Sequence, residues 1–414
     1  MVTKNYQWSD GARLDEHTKR KHKILKEYFR EYLITRCKLP QQERFRLAVV
    51  DGFSGAGKYK CGSYGSPLIF LDVLRETSEE INVRRAADNC RPIEIECSLF
   101  FNDANSSTIE LLKKNAASLI FDLQKNCPNV HLKVEFLSEN FAYIFPKIKA
   151  SLNASQYQNL LFNLDQCGYS KVEVPIIKEI MTSWPSVEAF LTFSIDTIKA
   201  YISTNPEKNS VLNSNPELTA EIYSYLQDGA EMINKKGWLG LVEQRIFEKL
   251  QSCAPFVSPF SINNPDGWRY WLMHFANRVK ARKVYNNILH DNSSYQAHFG
   301  KSGLNMLSYN PAEEGNLYLF DEDSRMQAKS ELHDDIPKLI EQHGDIISID
   351  DFYLNIFNGT AAHSDDIHEV LMSNPDLEVI TPTGNLRRKA NTIRVEDTLR
   401  LKKQITMFPM FTKK

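Results

Sequence analysis

Apolar runs that stop abruptly at polar or small residues organise the first half of the chain. Leu47 to Val50 ends at Asp51 and a glycine-rich stretch, and Ile95 to Phe101 ends at Asn102 and Asp103. Further runs follow at 130–137 (VHLKVEFL), 159–165 (NLLFNLD) and 187–196 (VEAFLTFSID). Short apolar runs leading into helical stretches predict strands of a parallel sheet, buried by helices on both faces. In 15–36, Ile24, Leu25, Tyr28, Phe29, Tyr32 and Leu33 recur at helical spacing behind a basic start of Lys19, Arg20, Lys21 and Lys23. Those cations are either a solvated helix end or a contact for a carboxylate or phosphate. Gly65-Ser66-Pro67 predicts a helix start, with Ser66 as N-cap and Pro67 at the first position. Residues 76–94 are polar and read as a loop. The predicted class is α/β, a Rossmann-like sheet.

The pattern changes twice further on. From 197 to 252 it is polar, helical and rich in Asn, which predicts a helical insertion acting as a lid or recognition element. FVSPFSI and WRYWLMHFA flank NNPDG and predict an antiparallel hairpin, with Trp268, Tyr270, Trp271 and Phe275 packing in the sheet. Residues 277–289 predict a helix whose Arg278, Lys280, Arg282 and Lys283 face solvent or a nucleic-acid backbone. From 331, three short helices are predicted, with Ser348 and Ser364 as N-caps and acids in the first turns. LEVITPTGNLRRKANTIRV then predicts a hairpin, and three helices with a hairpin make a winged helix. Its wing carries Arg387, Arg388 and Lys389, cations suited to phosphates. Docking to protein is the alternative, and Asp350, Asp351, Asp365 and Asp366 count against a groove-reading helix.

These boundaries divide the chain into an N-terminal helical segment (1–36), a Rossmann-like domain (37–196 and 253–290), the insertion (197–252), a linking region (291–330) and the winged helix (331–414). A length of 414 residues fits two or three domains, and 42% hydrophobic with 25% charged residues is a globular composition. The net charge of −2 gives no global attraction to nucleic acid, so any polyanion surface must be a local patch. Seven scattered cysteines without C-x-x-C spacing predict reduced thiols in a cytoplasm, with no zinc or iron–sulfur site. The polar N-terminus predicts no signal peptide, and no apolar run reaches the ~18 residues of a membrane-spanning helix.

The chemistry centres on Asp51-Gly52-Phe53-Ser54-Gly55-Ala56-Gly57-Lys58-Tyr59. One reading is a phosphate loop, since Gly52, Gly57 and Lys58 fit G-x-x-x-x-G-K. Tyr59 then stands where a Mg²⁺-binding Ser or Thr is required, which weakens that alternative. The other reading is the first motif of an S-adenosylmethionine (SAM) methyltransferase, because D-G-F-S-G-A-G resembles the D-x-F-x-G-x-G of amino-methylating nucleic-acid enzymes. A bare βα turn is the third. Asp103 stands at the end of the second strand, where Rossmann-like folds hold ribose hydroxyls. It lies about fifty residues after Asp51 instead of about twenty, which implies an insertion. A thiol such as Cys167 reads as a small buried hydrophobe, since no activating base is identifiable.

His17-Thr18-Lys19-Arg20-Lys21-His22-Lys23-Ile24-Leu25, VVDGFSGAGKY, GSPL, FFND, LDQCGY and the C-terminal RLKKQITMF together resemble the three-Cys-motif partner proteins. These are methyltransferase-like proteins paired with a radical-SAM-like protein that carries three cysteines. The resemblance covers nearly the whole chain, most specifically 17–67 and 159–170. It implies SAM bound by Asp51, Gly52, Phe53, Gly55 and Gly57, with Asp103 on the ribose and Asn140 or Glu139 on the adenine amino group. It further implies Asp165 accepting a hydrogen bond from an amine on DNA or RNA, and Tyr169 stacking on the base. The amino-methyltransferase form of this motif is D/N-P-P-Y/F and the family form is closer to D-P-F-G-Y; Gln166 and Cys167 depart from both. A non-catalytic subunit that binds nucleic acid or the radical-SAM-like protein is the alternative from another class.

Overall fold

A computed structural model of the chain describes residue 8 and residues 11–166, 171–194, 244–263, 269–292, 297–299, 303–304, 317–319 and 322–402. Its centre is a seven-stranded sheet formed by β1 (Arg44–Asp51), β2 (Glu94–Asn102), β3 (Val130–Leu137), β4 (Asn159–Leu164), β5 (Ser186–Phe193), β6 (Phe256–Asn263) and β7 (Arg269–Ala276). The spatial order is β3-β2-β1-β4-β5-β7-β6. Neighbours among the first five strands are parallel, whereas β7 runs antiparallel to both β5 and β6. A reversed terminal pair of this kind closes a methyltransferase sheet, so the α/β, Rossmann-like expectation holds.

The helices α1 (Glu16–Arg36), α2 (Ser66–Ala87), α3 (Ser106–Asn126), α4 (Phe141–Ala154), α5 (Val174–Ser183) and α6 (Val279–Asp291) cover the sheet. Alternate residues of β1 serve different cores. Leu47 and Val49 join Ile24, Phe29, Phe70 and Leu112, while Ala48 and Val50 join Phe145, Ile148 and Ile177. Apolar side chains on both faces explain why β1 reads as an unbroken hydrophobic run. The edge strand β3 has only Val130 buried and carries Lys133 and Glu135, consistent with its alternating sequence.

Two local expectations need correction. Residues 76–87, read as loop, continue α2 without a break. Their buried face is Thr77, Ser78, Ile81 and Arg85, and Arg85 donates to the carbonyls of Cys37, Leu39, Pro40, Gln42 and Arg91. A helix seated by polar contacts lacks the apolar period that would reveal it. The N-cap of α2 is Gly65, with Ser66 and Pro67 inside the first turn. Of the predicted insertion, 197–243 lies outside the described residues, and 244–251 are helical.

After the short pair β8 (Ala297–Phe299) and β9 (Leu317–Leu319) comes the winged helix. It contains α7 (Glu322–Gln342), β10 (Ile346–Ser348), α8 (Ile349–Ile356), α9 (Ser364–Ser373), β11 (Leu377–Ile380) and β12 (Thr398–Leu401). The strands pair in the order β10-β12-β11. Ser348 caps α8 as expected, but His363 rather than Ser364 caps α9, through its Nδ1.

The helix α6 departs from the expected charged face. Arg278 and Lys280 are exposed, but Arg282 is fully buried and donates to the carbonyls of Phe357 and Thr360 and to Asn286. Asn286 and His290 contact the carbonyls of Ala362 and Ala361 in turn. Asn358 bridges to Pro255 and Val257 at the start of β6. The winged helix is thus hydrogen-bonded onto the far edge of the sheet domain.

Candidate functional site

The strand order reverses beside β1, between its neighbours β2 and β4. In open α/β sheets a crevice opens at such a reversal, above the carboxyl ends of the strands. Here Asp51 and Asn163 are direct partners in the β1–β4 register. The glycine turn begins at this point, and its Gly52 N–H donates to Asn163 O at 2.9 Å. Gly57 sits in a left-handed conformation with little room for a side chain. Its φ is 76°, and a Cβ there would lie 2.4 Å from Leu68 and 2.5 Å from Leu112. The turn therefore presses directly onto α2 and α3.

Asn102 braces the turn. Its Nδ2 donates to Gly52 O at 3.1 Å and Glu139 O at 2.9 Å, and its Oδ1 accepts from Glu139 N–H. The next residue, Asp103, accepts from Gly55 N–H at 3.2 Å and from Asn105 N–H at 2.9 Å. Asn140 caps α4, accepting from Ala142 N–H at 3.0 Å. Phe53 is half-buried, 5.8 Å from the ring of Phe141, with the Lys171 ammonium 5.9 Å from its centre. The turn thus draws Asp51, Gly52, Phe53, Gly55, Gly57, Asp103 and Asn140 along one edge of the sheet.

Asp165 follows β4 directly and forms an ion pair with Lys21 of α1. Burial pushes the Asp165 carboxyl up, but the Lys21 ammonium outweighs it and holds the group below the ordinary carboxylate range. Asp51 behaves in the opposite way. Burial raises its carboxyl to about 7, the charge of Asp165 adds to the rise, and Ser66 and Asn163 oppose it. Near neutral pH Asp165 is therefore ionised, while Asp51, beside the pocket, is poised between its two forms. His22 is driven down to about 4 by burial and is neutral.

Lys21, His22, Leu25, Ser66, Asn163, Asp165, Phe190, Thr192 and Leu272 line this small pocket. Around it, His22 Nδ1, Asp51 Oδ2, Asn163 Nδ2 and Gln166 Nε2 are buried without a hydrogen-bond partner in the chain. Gln166 Oε1 accepts from Lys171 N–H at 2.8 Å and Val172 N–H at 3.0 Å, tying the two sides of 167–170 together. Cys167 and Tyr169 themselves lie outside the described residues. Trp8 stands against the turn, its Cζ2 2.5 Å from where a Gly55 Cβ would be, and its ring is 5.2 Å from Tyr59.

On the wing, Arg387 is bonded through Nε and Nη2 to both carboxylate oxygens of buried Asp397, each at 2.8 Å. Arg388 and Lys389 are exposed. The exposed face of α9 is acidic. Asp365 is exposed, 3.9 Å from His363 Nδ1, and Glu369 pairs with Lys329 of α7, while buried Asp366 pairs with Arg325.

The C-terminal architecture has a counterpart among known families. Residues 308–384 match the model of the GMT-like wHTH domain. The winged-helix expectation therefore stands. Among curated proteins, no sequence matches the chain. Among solved structures, one named "a putative O-methyltransferase from Klebsiella pneumoniae" aligns at 9% identity and a TM-score of 0.26, covering 63% of this chain and 88% of that one. At that level of similarity the methyltransferase-like fold rests on the strand order described above.

Among the described residues, no helix is long and apolar enough to cross a membrane, and no group of three or more His, Cys, Asp or Glu side chains could hold a metal ion. Sequence reasoning did not single out Asn102, Asn163, His22 or the hydroxyl of Ser66 as parts of the site. The basic start of α1 was a visible signal. Its partner Asp165 lies 144 residues away, and only the fold brings them together.

Proposed function

We propose that this chain binds SAM above the carboxyl ends of β1, β2 and β4 and transfers its methyl group to an amine on nucleic acid. The observation that carries the reading is the pair Asp51 and Asn163, joined at the strand reversal, where buried Asp51 Oδ2 and Asn163 Nδ2 have no well-formed hydrogen bond and only a weak contact with each other. Buried polar atoms are costly without a partner. A zwitterionic amino-acid group offers a cation to Asp51 and an acceptor to Asn163, so the residues present fit the cofactor.

When bound, SAM supplies a methyl group on a sulfonium centre. The chain's own task is placement. Asp51 Oδ2 takes the ammonium group, and the backbone of Gly55 to Gly57 gives close approach. Asp103 carries the ribose role and Asn140 the adenine role, the latter from the turn that starts α4. Asp165, kept ionised by Lys21, accepts a hydrogen bond from the acceptor amine and aligns its lone pair. Tyr169 is assigned the face of the base. An acceptor within a duplex would have to be extruded from the stack. The exposed Arg388 and Lys389 of the wing hold phosphates, while Arg387 supports them through Asp397.

One observation favours a second reading. Lys21 already occupies a carboxylate oxygen of Asp165, as it would in a subunit that binds SAM without using it. The resemblance to three-Cys-motif partner proteins adds a radical-SAM-like protein as the companion expected in that case. Calorimetry with SAM and with ATP–Mg²⁺ separates both readings from nucleotide hydrolysis. Heat with SAM and none with ATP is expected, and the reverse removes both. Label transfer from methyl-labelled SAM to DNA or RNA, lost in Asp165→Ala, then identifies the enzyme.

A further inference from the structure

The residues after the glycine turn form a small hairpin with its own surface. Lys58 and Tyr64 make an antiparallel bridge, Tyr59 N–H donates to Ser63 O at 3.0 Å, and Gly62 turns the chain at φ 86°. Alternation sends Tyr59 inward, where its ring lies 5.8 Å from His22. His22 is itself a wall of the Asp165 pocket. The same alternation sends Lys58 and Lys60 outward, with Tyr64 across the bridge from Lys58, and all three are exposed. Lys60 N–H also donates to Ala12 O at 3.0 Å, which lays the exposed Arg13 beside the hairpin.

These cations are uncompensated. Among the described residues, Arg13, Lys58 and Lys60 have no ion pair, whereas Arg30, Arg44, Arg91 and Arg400 each face a carboxylate. In a chain with net charge −2, this is a local positive face one aromatic ring away from the candidate acceptor pocket.

We propose that the 58–64 hairpin is a docking face for single-stranded nucleic acid, with Lys58 and Lys60 on consecutive phosphates and Tyr64 stacked on a base. Two cations and an aromatic ring on one exposed face are the elements that hold single strands without reading sequence. The inference deepens the proposed function by supplying the strand from which an acceptor base reaches Asp165. It is measured without SAM and can fail separately.

The test is fluorescence anisotropy of a labelled single-stranded oligonucleotide titrated with the full chain at two salt concentrations. K58E/K60E should bind roughly tenfold more weakly, and the slope of log affinity against log salt should fall by about 1.4. Y64A should weaken binding roughly fivefold with the salt slope unchanged. Both changes lie on the surface, and SAM calorimetry of the variants should match the parent. Equal affinity and slope in K58E/K60E would overturn the proposal. So would simultaneous loss of SAM binding, which would assign the lysines to the cofactor. An acidic peptide bound more tightly than the oligonucleotide would give the face to a protein. If the parent binds no SAM while the hairpin effect persists, only the methyl-transfer reading falls.

Discussion

The strand reversal at Asp51 and the seam that holds the winged helix are both buried and polar, yet they are finished differently. At the seam, Arg282 meets two backbone carbonyls and the Asn286 side chain, and on its winged-helix side, residues 322–402, no buried side-chain polar atom among the described residues lacks a partner. At the reversal, four side chains keep an unpartnered buried atom. Satisfied polar contacts fix one arrangement, whereas unsatisfied ones raise the energy of the chain alone and are recovered by a ligand. The seam is a structural contact, and the reversal keeps the polar atoms on which the proposed binding rests.

The sharpest break of this contrast would come from Arg282→Ala. It strips the partner from the carbonyls of Phe357 and Thr360 and opens a cavity, so we expect a loss of about 3–5 kcal/mol in urea unfolding. An unchanged midpoint would show that the seam is not a structural clasp. Gly57→Ala comes next. It forces a Cβ into Leu68 and Leu112 at positive φ, and about 3 kcal/mol should be lost, with SAM binding weakened in calorimetry.

Asp51→Asn should act on binding instead. Affinity for SAM should fall at least ~10-fold, with the fold retained or slightly stabilised above pH 7, because the isostere avoids burying an unpartnered charge. The sign with pH follows from the raised carboxyl. The folded chain holds this proton up to about 7, while the unfolded chain releases it in the ordinary carboxylate range. Stability therefore declines as pH rises through that window, and the decline is absent in Asp51→Asn. A ligand ammonium favours the carboxylate, so SAM affinity should rise from about pH 5.5 to 7, below the range where an α-amino group itself titrates, with release of up to one proton, read by calorimetry in buffers of different ionisation enthalpy. Flat affinity across this range would remove Asp51 from the site. The smallest effect belongs to Gly384→Ala on the wing. Its φ of 84° resembles that of Gly57, but nothing lies within 4 Å, so about 1 kcal/mol of strain is the whole expected cost.

The sheet was legible because parallel strands are apolar on both faces and end at polar turns. Asp51 and Asp103 are therefore recognisable as strand-end residues from the sequence. The second half of α2 was not legible, because Thr77, Ser78 and Arg85 carry its buried face. Arg282 read as a solvated cation, because a helix does not announce which backbone carbonyls its neighbour will offer. Lys21 and Asp165 show the same limit, since each is an ordinary charged residue until α1 crosses the end of β4. Tyr169 is placed by the resemblance alone.

Gln166 closes the end of β4 with a clasp of its own. One amide oxygen clamps the chain where it leaves the sheet and where it returns, at Lys171 and Val172. The backbone on either side of 167–170 is thus held together by one side chain rather than by strand pairing. Loss of that single oxygen would release both ends at once, beside the carboxylate that Lys21 holds.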